Sequence, residues 1–550
     1  MSRYPSAHGS VLGLPDETLS EIFRLAVLRR GPTDIMSNLT TFRAILHVCG
    51  RWRTVAYRYQ AFWTMLPLES KWWVNLALER SGTQAVSILM NHASYPRYAI
   101  LLALQHVDRA KEVFMTDVLS WDSHANYFVT QNAAPRLERL TIQHSLAHDI
   151  KNPWSPVGVH GRGISGIFRG HFPLLRDANF FNCRLQPTSP MLSAPLRRLH
   201  VQHCGPVWDS YEALLDTLRT LPGMEDLLLS FVLPSNVAED DGFARGPVDL
   251  PKLDKLHLAA HPDQIDVLVR AIGRPAGVDV HLSCVSRSER DVVHGRGSLR
   301  AIGNTLGRLF ALPDPSQNPY TSMALSCCAF PIVSISCDPH ADSRPPALLP
   351  RRLVLELLYP SVAHHKRIPT TLLEYESPQS TYLVPAPDAR IRWRKLLGFF
   401  TGALPLARVQ TLCVQQAAPL AWVWDEVLRH TPALRTLRLE GGAAASLDAN
   451  LAVDRSGMLK ARVRTLDALV VRRADLTDTA CLPIEFVQRG EGGGPRVEIE
   501  ACDVEEEVAE VLGEVRGDQV RWDGVLDGFS MWMEGEGKSA NVYLLTGAFD

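Results

Sequence analysis

The residues that invite a chemical reading are four small clusters. Gly161, Gly163 and Gly166 spell G-x-G-x-x-G, the spacing of a dinucleotide-binding turn. That turn requires a buried strand before it and a helix opening at it. Here N-P-W-S-P-V-G-V-H precedes, with two prolines, so the segment reads as a loop. G-E-G-K-S at 535–539 resembles a phosphate loop, but a phosphate loop needs a glycine where this chain has Trp532. The two glutamates there would also repel a phosphate, and a turn between strands is the reading retained. Cys327, Cys328, Cys337 and His340 suggest metal ligation, yet adjacent cysteines on a strand point to opposite faces. They read as buried small apolar residues. His364-His365 has no acidic or thiol partner at ligand spacing. No nucleophile–base arrangement stands out, so no catalytic, cofactor or metal residues are assigned, and the expectation is a protein that is not an enzyme.

The elements around these clusters explain more than the clusters do. From Val11 the sequence V-L-G-L-P-D-E-T-L-S-E-I-F-R-L-A opens a helix. Pro15 suits a first turn, and Asp16 and Glu17 suit the positive end of the dipole. Leu19, Ile22, Phe23 and Ala26 are expected to form one apolar stripe, with Gly31-Pro32 stopping the helix. A second helical pattern runs through Phe42, Leu46, Cys49, Trp52, Ala56 and Tyr59, and Gly50 inside it predicts a break into two shorter helices. Phe62 and Trp63 close the segment. So small a helical core commonly needs a partner or a neighbouring domain.

Further on, short strands alternate with short helices. The strand signal is a leucine triad, L-x-x-L-x-L or a close variant. It occurs at Leu137/Leu140/Ile142, Leu196/Leu199/Val201, Leu253/Leu256/Leu258, Val409/Leu412/Val414, Leu434/Leu437/Leu439 and Leu466/Leu469/Val471, with weaker copies from Leu174 and Met224. Most intervals are about 20 to 40 residues, near or above leucine-rich repeat periods. Helix-like segments precede Met224 and Leu434. The triad leucines are read as core, stacking strand on strand. The stretch 275–350 interrupts this rhythm, with a helix near Leu299, Pro- and Ser-rich text, and S-C-C-A-F-P-I-V-S-I-S-C and R-L-V-L-E-L-L-Y as strands. It either interrupts one array or divides two. At the end of the chain, R-V-E-I-E, an acidic helix and V-R-W-D-G-V could cap the array.

The combination L-P-D-E-T-L-S-E-I-F, then H-V-C-G-R-W-R-T-V-A, then F-W resembles an F-box, closest to the F-box-like proteins abundant in fungi. W-V-N-L-A-L-E-R-S-G and L-L-A-L-Q-H-V-D-R-A-K-E-V resemble segments downstream of the F-box in that group. The first interhelix stretch, R-R-G-P-T-D-I-M-S, departs from the pattern. The resemblance covers roughly 11–115 and implies an F-box-like module; with the helical pattern and the triads, the expectation is an α/β chain, a small three-helix F-box-like module over 11–66, then an irregular leucine-rich repeat array, an α/β solenoid, over 67–550. It implies docking on a Skp-type adaptor and through it a cullin, with Leu14, Pro15, Leu19, Ile22, Phe23, Val48, Cys49, Trp52 and Trp63 forming or supporting the surface. The array would present an unidentified target protein, making the chain a substrate receptor of an SCF-type ubiquitin ligase; the alternative is an interaction scaffold without a role in ubiquitination. Exposed positions between the triad leucines, namely Gln143, His144, Gln202, His203, His257, Arg438 and Glu440, are the candidate target contacts.

Composition limits the other classes. Lys+Arg of 57 against Asp+Glu of 59 gives a net charge of -2, which offers no global basic field for nucleic acid or an acidic membrane. No apolar run approaches a signal peptide or a membrane span. Ten scattered cysteines are too sparse for a disulfide scaffold, so a cytoplasmic or nuclear protein is expected.

Overall fold

The structure is a computed structural model, and it divides into two compact units, 1–253 and 254–550. In the first unit it describes residues 14–28, 35–90, 95–116, 123–144, 164, 166–193, 195–234 and 246–253. In the second it describes 254–272, 278–285, 301, 303–306, 309, 320–327, 331–337, 352–358, 404, 406–415, 421–440, 447, 451, 461, 463, 465–472, 475–476, 496–500, 503–504 and 520–522.

The first unit opens with helices α1 (Asp16–Leu28), α2 (Ile35–Val48) and α3 (Gly50–Arg58), followed by a 3-10 turn, Gln60–Thr64. Pro15 sits immediately before α1 and its carbonyl accepts the first helical bond, from Leu19 N–H at 3.0 Å. The expected break falls at Cys49, whose extended backbone caps α3 while its Sγ accepts from Trp52 N–H at 3.4 Å. Arg53 Nε donates to Leu46 O at 2.9 Å, satisfying a carbonyl that the end of α2 leaves unpaired.

The core beneath these helices is aromatic. Phe42 stacks on Phe62 with centroids 4.4 Å apart, and Trp63 meets Phe42 edge-on at 5.3 Å. Trp63 is fully buried, and its indole N–H donates to Ala56 O at 2.8 Å, so the ring is buried without an unsatisfied donor. Three large rings in a small volume supply apolar area that three short helices could not otherwise provide.

The chain then builds helix and strand alternately: α4 (Lys71–Arg80), β1 (Val86–Met90), α5 (Arg97–Gln105), β2 (Ala110–Thr116), α6 (Ser123–Gln131), β3 (Arg139–Gln143), β4 (Asp177–Phe181), β5 (Arg198–Gln202), α7 (Tyr211–Arg219) and β6 (Asp226–Ser230). Strands β1 to β6 pair in sequence order, every pairing parallel. A bridge from Met65 to Ser87 and a bond from Leu66 N–H to Ser87 O tie the end of the helical segment to the free side of β1.

Register explains the triads. Ile88, Val113, Leu140, Ala178, Leu199 and Leu227 lie in one cross-strand row, and Met90, Met115, Ile142, Phe180, Val201 and Leu229 in another. All twelve side chains are buried. The two rows are two residues apart along each strand, so both face the same side of the sheet. The first triad leucine sits in the turn before its strand: Leu137 N–H bonds to Ala134 O, Leu175 to Phe172 O and Met224 to Leu221 O. A backbone staple recurs at the same place. Glu138 O accepts from Arg176 and Asp177, Arg176 O from Arg197 and Arg198, and Arg197 O from Glu225 and Asp226. The helix expected before Met224 is α7, capped by Ser210, with Leu214, Leu215 and Leu218 buried.

In the second unit the strands are β7 (Lys255–Ala260), β8 (Asp279–Val285), β9 (Tyr320–Cys327), β10 (Pro331–Cys337), β11 (Arg352–Leu358), β12 (Thr411–Gln415), β13 (Thr436–Glu440), β14 (Ala468–Arg472), β15 (Asp475–Leu476), β16 (Arg496–Glu500), β17 (Asp503–Val504) and β18 (Val520–Trp522). Helix α8 (Pro262–Ile272) follows β7, and α9 (Ala421–His430) precedes β13 where a helix was expected. The order across the main sheet is β7-β8-β11-β10-β9-β12-β13-β14-β16-β18, with β15 and β17 pairing separately. The irregular stretch therefore stays in the sheet of this unit. It enters as a meander, β9 to β11, laid in reverse order: β10 is antiparallel to both neighbours, while β11 runs parallel to β8 and β9 parallel to β12. The staple returns here, with Gln410 O accepting from Arg435 and Thr436, and Arg435 O from Asp467 and Ala468. The triad residues Leu256, Leu258, Leu412, Val414, Leu437, Leu439, Leu469 and Val471 are buried. The fold is mixed α/β around largely parallel sheet. The expected acidic helix and most of the C-terminal segment lie outside the described residues.

Candidate functional site

Helix α1 has two apolar faces. Leu19, Phe23 and Val27 point into the aromatic core and are buried. Pro15, Thr18, Ile22 and Leu25 follow at the spacing of a second face, and on it Ile22 is 42% and Leu25 47% exposed. Ile22 was expected in the buried stripe; it faces outward instead, because the core side is set by the four-residue steps from Leu19 to Phe23 to Val27. Val48, the last residue of α2, is 57% exposed. Leu14 is half-buried and Pro15 exposed.

The start of α1 is held from α3. Arg51 Nη2 donates to Leu14 O at 2.5 Å and to Asp16 Oδ1 at 2.7 Å, and its Nε reaches Asp16 Oδ1 at 3.2 Å. One guanidinium thus grips both sides of Pro15. Trp52, the next residue, lies 4.9 Å from Phe23, centroid to centroid, and is half-buried. The residues named from the sequence therefore fall into two sets. Leu14, Pro15, Ile22 and Val48 offer surface, with Cys49 and Trp52 partly so, whereas Leu19, Phe23 and Trp63 are interior and can only support it. Leu25 and Arg51 were missed. The first is legible as the residue three beyond Ile22; the second carries no sequence signal beyond being basic.

The sheet of the first unit presents a different surface. Ser87, Glu112, Arg139, Asp177, Arg198 and Asp226 form one cross-strand row at the leading end of the strands. Glu112 accepts from Ser87 Oγ at 3.2 Å and from Arg139 at 2.9 Å, and Arg198 pairs with Asp177 at 3.3 Å. His200 Nε2 lies 3.2 Å from Asp226. At the trailing end the chain turns through left-handed residues directly after β4, β5 and β6: Asn182, His203 and Phe231, with φ of 53°, 53° and 56°. His203 stacks on Phe231 at 4.7 Å and meets Phe181 at a tilt at 5.3 Å, and burial pushes its imidazole down to about 4. Cys183 and Cys204 follow, both buried, with Cys183 N–H directed at Cys204 Sγ at 3.4 Å.

The candidate target contacts are scattered by these facts. His144 and Gln202 were expected to be exposed and are buried. The corner of the neighbouring strand covers them: His144 N–H bonds to Phe181 O, and Gln202 O accepts from Asn182 N–H. His203 is taken up in its aromatic stack. Gln143 is half-buried and Arg438 exposed. His257 is half-buried and stacks on His281 at 3.9 Å, in register across β7 and β8. Glu440 ends β13, and its side chain lies outside the described residues.

The chemical clusters fall mostly outside the described residues. Cys327 pairs with Pro331 and Cys337 with Tyr320, so the two cysteines stand at opposite ends of a hairpin, about 20 Å apart by strand rise. Cys328, His340, His364 and His365 lie outside the described residues, as do Gly161, Gly163 and 535–539. Gly166 precedes only a 3-10 turn, Ile167–Gly170. Among the described residues no group of three or more His, Cys, Asp or Glu could hold a metal ion, and no helix is long and apolar enough to cross a membrane. No family model matches the chain, and no curated protein matches it either.

Proposed function

We propose that the chain is a substrate receptor of SCF type, with the helices α1 to α3 acting as an F-box-like module and the strands that follow as an irregular leucine-rich repeat solenoid. The observation that carries this reading is the second apolar face of α1. Ile22 and Leu25 on this face, and Val48 at the end of α2, are open to solvent, while the core is already filled with aromatic rings. Exposed large apolar side chains of this kind mark an interaction site. The partner is a Skp-type adaptor and through it a cullin, as the resemblance of L-P-D-E-T-L-S-E-I-F and H-V-C-G-R-W-R implies. The repeats would bind the target protein through outward-facing strand positions such as Gln143, His257 and Arg438. The chain itself catalyses nothing in this reading; it raises the effective concentration of the target near a bound conjugating enzyme.

The test is affinity purification of the full chain beside a Leu14→Asp, Pro15→Ala double variant. The parent should recover both adaptor and cullin, and the variant neither, while bound targets persist. Recovery of adaptor without cullin would replace the ligase reading with that of an interaction scaffold. Undiminished adaptor on the double variant would remove the docking surface altogether.

A further inference from the structure

We infer that Arg51 is the positioning residue of this docking surface: it fixes the Leu14-Pro15 pair in the orientation that a partner reads. The inference rests on the adaptor-docking reading and adds to it a residue that touches no partner itself. Leu14 and Pro15 precede the first turn of α1, and Pro15 is tied to the helix through its carbonyl, which accepts from Leu19 N–H. A further restraint comes from a different helix. Arg51 lies at the start of α3, 35 residues from Asp16 in sequence, and its guanidinium bonds to the backbone carbonyl of Leu14 and to the carboxylate of Asp16. Those two acceptors flank Pro15, whose ring fixes φ. Between a locked φ and a two-point grip, the pair has little freedom left to lose when a partner binds, and pre-organisation of this kind strengthens association.

Arginine adds to this grip what lysine lacks: Nη2 meets both acceptors, and the planar fork brings Nε to Asp16 Oδ1 as well. The next two residues show that the same stretch is used in both directions. Trp52 packs on Phe23 of α1, and Arg53 turns back to Leu46 O of α2. Arg51 is partly solvent-exposed, so it is not a core residue whose loss would collapse the module.

The experiment measures the affinity of the full chain for a purified Skp-type adaptor in the parent, Arg51→Ala, Arg51→Lys, Pro15→Ala and the Arg51→Ala, Pro15→Ala double variant. Arg51→Ala should weaken binding about tenfold, the scale of losing charge-assisted bonds at a surface. Arg51→Lys should recover only a small part of that loss. Because Arg51 acts through the Leu14-Pro15 pair, its removal should cost much less in the Pro15→Ala background, whereas a general structural role would cost the same in both. Hydrogen exchange at the first turn of α1 should quicken in Arg51→Ala while that of β1 to β6 stays at the parental rate. Parental affinity for Arg51→Ala, additive losses in the double variant, or unchanged exchange at α1 would each overturn the inference. If any of these occurred while Leu14→Asp, Pro15→Ala still abolished binding, the docking reading would stand without Arg51. If that double variant bound normally, both would fall.

Discussion

Helix α1 turns Ile22 and Leu25 outward, whereas the leading row of the first unit's sheet sets Glu112, Arg139, Asp177, Arg198 and Asp226 side by side in alternating sign. Both are surfaces of the same unit, but they are built on opposite terms. The sheet row satisfies itself: each charge is placed beside its opposite, and an incoming ligand would have to displace a bond already made. The helix face has apolar area that water meets at a cost of about 25 cal/mol per Å². A repeated surface that answers its own charges is a poor place to read for partners, and a small surface that does not is a better one.

The comparison can be broken at the core first. Trp63→Ala should destabilise the helical segment by about 4 kcal/mol, since it empties a fully buried ring site and orphans the Ala56 carbonyl. Denaturant unfolding followed by tryptophan fluorescence would show it, and a loss below about 1 kcal/mol would mean that the aromatic cluster is not what supports the outer face.

The sheet corner gives the next effect. His203 titrates near 6.5 when unfolded and near about 4 in its stack, so the folded protein binds fewer protons between those values. No penalty exists above about pH 6.5, and one grows as the pH falls towards 4, reaching about 2 kcal/mol near pH 5. His203→Asn keeps a side chain that tolerates the left-handed backbone, as Asn182 does at the equivalent place. Its stability should change less than the parent's between pH 7 and 5, and equal slopes would mean that the imidazole is not sheltered.

Reversing one charge in the ladder, Arg139→Glu, sets three like charges across β2, β3 and β4 and should cost about 1 kcal/mol, screened by salt because the site is half exposed. Insensitivity to ionic strength would show that the row is not electrostatically coupled. The smallest effect on stability belongs to Ile22→Asp, expected within about 0.5 kcal/mol of the parent because the side chain faces water. The same change should sharply reduce adaptor recovery. A large loss of stability would place Ile22 in the core after all and erase the contrast between the two surfaces.

Much of this was legible beforehand. The triads could be read because a strand's alternate residues share a face and parallel neighbours repeat the register, so Leu140, Leu199 and Leu227 had to stack if they were strands at all. The break at Cys49-Gly50 was legible because glycine interrupts a helical pattern. Ile22 was misplaced for a reason built into α1: with two apolar faces, periodicity alone cannot say which is inside. His144 and Gln202 misled through residue type, since a polar side chain at a strand end suggests water and their burial depends on the corner of the next strand. The reversed meander β9 to β11 was out of reach. Its segments announce strands, but the order in which strands pair is a long-range choice that local composition does not encode.

The bond from Leu66 to Ser87 has a practical side. It seats the end of the helical segment on the outer edge of β1, a position that in a bare sheet would offer an open row of amides to any other strand. Removing residues 14–66 to study the sheet alone would uncover Ser87 on that edge, and self-association of the shortened chain would then report the missing cover and not an intrinsic property of the sheet.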